Sequence, residues 1–90
     1  MIRWDETKNA WLKRERQMSF ERIAEMITNG EYVDIVKHPS RVNQRMFIVR
    51  IDGYVWAVPY VVQEDEETIF LKTAFPSRKF DRRYGEDRHE

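Results

Sequence analysis

Early in the chain the apolar residues fall on one helical stripe: Phe20, Ile23, Ala24 and Ile27 recur at i, i+3, i+4 and i+7. Ser19 stands where an N-cap acceptor is needed, and Asn29-Gly30 supplies the glycine favoured by a left-handed C-terminal cap. Before this helix the pattern predicts another, capped by Asp5 and running to Arg16, with Trp11 and Leu12 as its apolar contacts. Ile2 to Trp4 reads as a short first strand or an anchoring arm. After Gly30 the period changes to two. Tyr32–Lys37 reads as a strand stopped at His38-Pro39-Ser40, and Arg45–Ile51 as the next. Asp52-Gly53 is a strong hairpin signal, Tyr54–Val62 returns, Glu64–Glu67 reverses the chain, and Thr68–Phe75 closes. The expectation is an α+β fold: two N-terminal helices packed on a three- to four-stranded antiparallel sheet.

A two-residue turn fixes the hairpin register, pairing Ile51 with Tyr54, Val49 with Trp56, Phe47 with Val58 and Arg45 with Tyr60. A four-residue acidic turn then sets Val62 opposite Ile69 and Tyr60 opposite Leu71. One face collects Phe47, Val49, Ile51, Trp56, Val58, Ile69 and Leu71, the natural seat for the helical stripe, with Trp56 expected in the core. The other collects Met46, Ile48, Arg50, Val55, Ala57, Pro59, Phe70, Lys72 and Ala74. This second face is too apolar for a solvated one, so Met46, Ile48, Val55, Ala57 and Phe70 are expected to meet a partner or a second copy of the chain. Pro59 lacks an amide hydrogen and requires the strand to be bulged or unpaired there.

Ninety residues without cysteine are expected to form one domain over residues 1–85, followed by a charged tail at 86–90. The sequence has no membrane-span-length apolar window and no signal-peptide h-region at its start, so a cytoplasmic location is expected. Sixteen basic and sixteen acidic residues cancel, yet they are unevenly placed. Residues 37–62 carry Lys37, Arg41, Arg45 and Arg50 against Asp52; residues 68–85 carry Lys72, Arg78, Lys79, Arg82 and Arg83 against Asp81. Binding of a polyanion would therefore be a local affair.

The single glycines at turns do not form a phosphate-cradling loop, and His38 and His89 lack metal-ligand spacing, so neither a metal nor a cofactor is expected. The basic set remains. Cutting RNA without a metal needs a group to take the 2′-hydroxyl proton, a group to protonate the leaving oxygen, and cations for the phosphorane charge. Arg50, Lys72 and Arg78 are the candidate phosphate contacts of a catalytic site. Tyr84 joins them as a proton-transfer group, with His38 and Tyr60 as others. Arg45, Lys79, Arg82 and Arg83 are candidate RNA contacts.

The opening Ile2-Arg-Trp-Asp-Glu-Thr-Lys-Asn9, the Ser19-Phe-Glu21 that starts the second helix, Gln44-Arg-Met-Phe47 and the closing Phe70–Lys79 segment together resemble the BrnT family. These are toxins of type II toxin–antitoxin pairs with a RelE-like ribonuclease fold, and the resemblance runs nearly end to end. Where that family has Lys-His-Gly between its helices, this chain has Glu15-Arg16-Gln17, so position 16 offers no histidine. The resemblance implies a small metal-independent ribonuclease acting on RNA, held by a cognate ribbon-helix-helix-like, DNA-binding antitoxin. The alternative is a non-catalytic interaction module of the same fold, binding such a partner or itself as a homodimer.

Overall fold

A six-stranded sheet runs through the molecule in the order Ile2–Trp4, Ile69–Leu71, Tyr54–Val62, Arg45–Ile51, Asp34–Lys37, with Phe75–Pro76 also pairing Tyr54–Val62. The computed structural model describes residues 1–85; the charged tail predicted at 86–90 lies outside the described residues. In chain order the elements are β1 (Ile2–Trp4), α1 (Glu6–Arg16), α2 (Phe20–Thr28), β2 (Asp34–Lys37), β3 (Arg45–Ile51), β4 (Tyr54–Val62), β5 (Ile69–Leu71), β6 (Phe75–Pro76) and α3 (Arg78–Tyr84). The fold is α+β, but with three helices and a mixed sheet, because β1 pairs parallel to β5. Among the described residues no helix is long and apolar enough to cross a membrane.

The N-terminal caps form as their chemistry requires. The Asp5 carboxylate accepts from Thr7 N–H at 2.9 Å, and Ser19 Oγ accepts from Arg22 N–H at 3.1 Å. α2 ends in a paired closure, with Gly30 N–H donating to Ile27 O and Glu31 N–H to Met26 O, made possible by a φ of +73° at Gly30. α1 ends on Gln17 at φ +49°, a left-handed position without glycine. Asn9 ties the two helices together. It is buried, its Oδ1 accepts from Phe20 N–H at 2.8 Å, and its Nδ2 donates to Glu21 at 2.9 Å. An open amide of the first turn of α2 is thus satisfied from α1.

The hairpin forms in the predicted register, Ile51 opposite Tyr54 through Arg45 opposite Tyr60, around Asp52 and Gly53 at positive φ. Val62 faces Ile69 and Tyr60 faces Leu71, as the acidic turn requires. Asp65 builds that turn, accepting from Glu67 N–H, Thr68 N–H and Thr68 Oγ1. α1 and α2 cover the sheet face of Phe47, Val49, Ile51, Trp56, Val58 and Leu71, with Leu12, Phe20 and Ile23 in the main core.

The last strand predicted at 68–75 is two strands. Lys72 N–H donates to Pro59 O at 2.8 Å, and the reciprocal bond cannot form because proline has no N–H. Pairing therefore stops after Leu71 and resumes at Phe75, opposite Ala57. The break turns Ala74 into the main core instead of onto the second face.

That second face is where the structure departs most from expectation. Met46, Ile48, Val55 and Ala57 are not open to a partner: they form a second core with Phe80 of α3, flanked by Val36, Phe75 and Tyr84. The chain covers its own apolar face. Phe70, the fifth residue assigned to that interface, is half-buried beside Ile2, Arg3 and Trp4, away from the other four.

Candidate nucleic-acid interface

Helical spacing distributes the basic C-terminal segment around α3. Ser77 caps it, its Oγ accepting from Phe80 N–H at 3.2 Å, and Pro76 ends the strand before it. Phe80 and Tyr84, four apart, share the side that meets the sheet. Lys79 and Arg83, also four apart, reach the side of β2. Arg78 is exposed in the first turn, and Arg82 borders a shallow depression with Lys79 and Arg83.

Three further bonds hold this helix. Asp81 Oδ1 accepts from Val55 N–H at 3.1 Å, Arg50 Nε donates to Tyr84 O at 2.7 Å, and the Tyr84 hydroxyl donates to Asp34 Oδ2 at 2.5 Å. The last bond raises the Tyr84 phenol above its ordinary value, with burial adding to it, and holds the Asp34 carboxyl below its own. A phenol that donates to a carboxylate and is harder to ionise than usual is a poor proton acceptor. Tyr84 and Arg50 are thus parts of the helix mooring.

Arg50 and Lys72 do share the α3 face of the sheet, but at opposite ends of it. Arg50 pairs with Val55, and Lys72 lies beside Pro59, four residues farther along β4, a spacing of about 13 Å. α3 covers the face with Phe80 over its second core. Arg45, adjacent to Met46 in an alternating strand, belongs to the opposite face and borders a depression with Tyr60. Tyr60 is itself buried, stacked on Phe47 at 4.4 Å, with its phenol pushed up by burial. Arg50, Lys72, Arg78 and Tyr84 therefore do not converge on one reacting atom.

A different grouping does converge. At the break between β5 and β6, a cleft of about 470 Å³ is lined by Lys8 of α1, Arg41 and Gln44 of the β2–β3 loop, and Lys72 and Thr73. A second cleft, of about 310 Å³, has Val36, Met46, Phe75 and Phe80 as apolar lining and Lys37, Lys79 and Arg83 as cations. His38 and Phe75 line both, so the two clefts adjoin along one surface groove, and Lys79 and Arg83 are shared with the Lys79–Arg82–Arg83 depression beside them. No carboxylate lines any of the three among the described residues.

His38 sits at the junction in a defined state. Its Nδ1 accepts backbone N–H bonds from Ser40 and Arg41, each 3.1 Å, so this nitrogen keeps its lone pair and the neutral ring carries its hydrogen on Nε2. The imidazole thereby folds the His38–Arg41 turn and leaves an N–H donor for a ligand. With Nδ1 engaged and Nε2 protonated, the ring in this arrangement supplies a hydrogen bond rather than a base.

Of the cations singled out in the sequence, Lys72 lines the first cleft, Lys79 and Arg83 the second, and Arg82 the adjoining depression. Lys8, Lys37, Arg41, Gln44 and Phe75 join them from segments that the linear reading kept apart. Arg16 has a structural duty, donating to Ala74 O at 2.6 Å and stacking on Trp11 at 4.6 Å. No protein-family model, curated protein or solved structure matches this chain.

Proposed function

We propose that the protein is the RNA-targeting, toxin-type member of a toxin–antitoxin pair, and that it seats RNA along the groove from Lys8 to Arg83. The observation that carries this reading is the run of adjoining cationic clefts, with no carboxylate in their lining among the described residues and with an imidazole and a phenyl ring where they meet. Phosphates would be held by Lys8, Arg41 and Lys72 at one end and by Lys79, Arg82 and Arg83 at the other. The resemblance to BrnT toxins motivates RNA as the polyanion, the RelE-like character of the fold and a small ribbon-helix-helix-like antitoxin as the neutralising partner. If the strand is cut, the 2′-hydroxyl gives its proton to water as its oxygen attacks the adjacent phosphorus, and the 5′-oxygen leaves with a proton from water, giving a 2′,3′-cyclic phosphate and a 5′-hydroxyl end. The groove cations and the His38 Nε2–H would stabilise the charge on the phosphorane.

A second reading has its own observation. The described proton-transfer candidates are engaged: Tyr84 to Asp34, His38 Nδ1 to two amides, and Tyr60 in the main core. This favours binding without cleavage. One experiment addresses both. Labelled RNA titrated with the full chain should bind with a log–log salt slope of roughly −3.5 for about five phosphate contacts. Arg41→Ala with Lys72→Ala should weaken binding, whereas Arg45→Ala, on the other face, should leave it unchanged. Electrophoresis of the bound RNA then separates cutting from binding alone. No binding at low salt overturns the proposal.

A further inference from the structure

Resting on the reading of the groove as an RNA site, we infer that its narrower half is a nucleobase slot, so that the RNA it takes is single-stranded with one base splayed out. The cleft at Val36 and Phe75 has the composition a base requires. Its apolar lining is Val36, Pro39, Met46 and Phe80 with the Phe75 ring, and beside these stand the polar His38 and Ser77 and the cations Lys37, Lys79 and Arg83. A site for phosphate alone would not be floored by phenyl rings and a methionine. At about 310 Å³ it stands at the lower end of the roughly 300–1,000 Å³ range of small-molecule pockets, a size for one nucleoside rather than for a duplex edge.

The flanks complete the argument. A base in this slot has phosphates on both sides of it along the strand, and the groove has cations on both sides of the slot. Lys72 with Arg41 lies beyond the His38–Phe75 junction, and Arg82 lies beyond the Lys79–Arg83 border. A lone nucleotide would use one of these clusters; a strand passing through uses both. A-form duplex RNA keeps its bases stacked, with a major groove too deep and narrow to present one to a surface slot. Phe75 is the stacking surface. It is partly open, held in β6 opposite Ala57, and shared by both halves of the groove.

The test is a fluorescence-anisotropy comparison of the full chain with a short unstructured single-stranded RNA and with a duplex of the same length. A third probe is the single strand carrying one abasic position at each site in turn. The single strand should bind more tightly than the duplex. Phe75→Ala should weaken single-strand binding by roughly five- to a hundredfold, the worth of one aromatic–base stack, and leave duplex binding unaltered. Val36→Trp, which fills the slot without removing β6 or a cation, provides the same comparison should Phe75→Ala unfold. A single strand and duplex that bind alike, with neither substitution nor abasic site changing affinity, would overturn the slot while leaving the groove as a phosphate site. Absence of binding to either RNA would overturn the groove reading and the slot with it.

Discussion

Replacing Phe80 by alanine asks whether the last helix is a docked unit or an integral part of the domain. Phe80 is 8% exposed and packs with Met46, Ile48, Val55 and Ala57, the only buried side chain α3 contributes to that core among the described residues. Truncating a buried phenylalanine costs about 3–5 kcal/mol, the transfer term and the cavity together. Seven residues cannot sustain a helix alone, since nucleation outweighs so few propagating bonds. The bonds from Val55 N–H to Asp81 and from Arg50 to Tyr84 O contribute roughly 1 kcal/mol each, which does not offset that loss. The expected outcome is local undocking of α3 with the main core intact. Amide hydrogen exchange reads this directly. Val55, Ser77 and Phe80 amides should lose protection, because their acceptors are Asp81 Oδ1, Val55 O and Ser77 Oγ, while Val49 and Val58 in the hairpin stay slow. RNA affinity should fall in parallel, since Lys79, Arg82 and Arg83 leave the groove. Unchanged protection at Val55 in the folded variant would refute the reasoning.

Asn9→Ala removes the acceptor of a buried amide, Phe20 N–H, and should cost about 1–3 kcal/mol. The thermal midpoint should fall by roughly 4–8 °C for each of those kcal/mol, and an unaltered midpoint would mean that Asn9 does not join the helices as described. Gln17→Gly relieves a left-handed position at φ +49° and should raise stability by about 1 kcal/mol; a lowered denaturant midpoint would contradict it. The Tyr84–Asp34 bond should make α3 docking sensitive at both ends of the pH scale. The depressed Asp34 contributes above the ordinary carboxylate value of 3.8 and loses its contribution as pH falls through its lowered pKa. The raised Tyr84 contributes below the ordinary phenol value of 10.0 and loses its contribution as pH rises through its raised pKa. Chemical shifts of the Phe80 amide across pH should show both limbs, and Tyr84→Phe should flatten them; limbs that persist in Tyr84→Phe belong to other groups.

How much was legible beforehand divides along physical lines. The hairpin register followed from the Asp52-Gly53 turn because a two-residue loop leaves no freedom in pairing, and the alternation then placed Phe47, Val49, Ile51, Trp56 and Val58 on the main-core face. The acidic turn was equally determinate. α3 was not, because its propensity is marginal and its existence depends on docking. Its signals were Ser77 after Pro76 and the i, i+4 spacing of Phe80 and Tyr84, easily lost among four cations. Missing the helix had a direct consequence: the second sheet face looked like an interface when it was half of a core. The groove was less legible still, since it joins α1, the β2–β3 loop, the β5–β6 break and α3. Pro59 was the clue to that break. It required an interruption in the ladder but did not indicate that Lys72 and Thr73 would emerge there beside Lys8 and His38. Gln17 occupies the left-handed end of α1 where glycine costs least, and Arg16 beside it is committed to Ala74 O.

A chain with as many acids as bases can still present a strongly cationic surface if its acids are used internally, and several are. Asp5 caps α1, Glu21 accepts from Asn9 and pairs with Lys13, Asp65 folds its own turn, and Asp52 pairs with Arg22 across to α2. Asp34 and Asp81 moor α3. The first four carboxylates lie at helix starts, a turn and the far hairpin, and Asp34 and Asp81, on β2 and α3, do not line the groove. The ion pairs among the described residues use Lys13, Arg14 and Arg22, none of them a groove cation. Neutrality therefore constrains only the long-range field, which falls off over about 8–10 Å at physiological salt. Inside that distance Lys72, Arg41, Lys79 and Arg83 act on a ligand with no carboxylate in the groove lining, Asp34 and Asp81 lying near Arg83 and Arg82 but engaged in the bonds that moor α3. The same structural use of carboxylates that stabilises the fold creates the segregation on which the groove depends. Breaking the Asp34–Tyr84 or the Asp81–Val55 bond would both loosen the helix that carries Lys79, Arg82 and Arg83 and release a negative charge beside them.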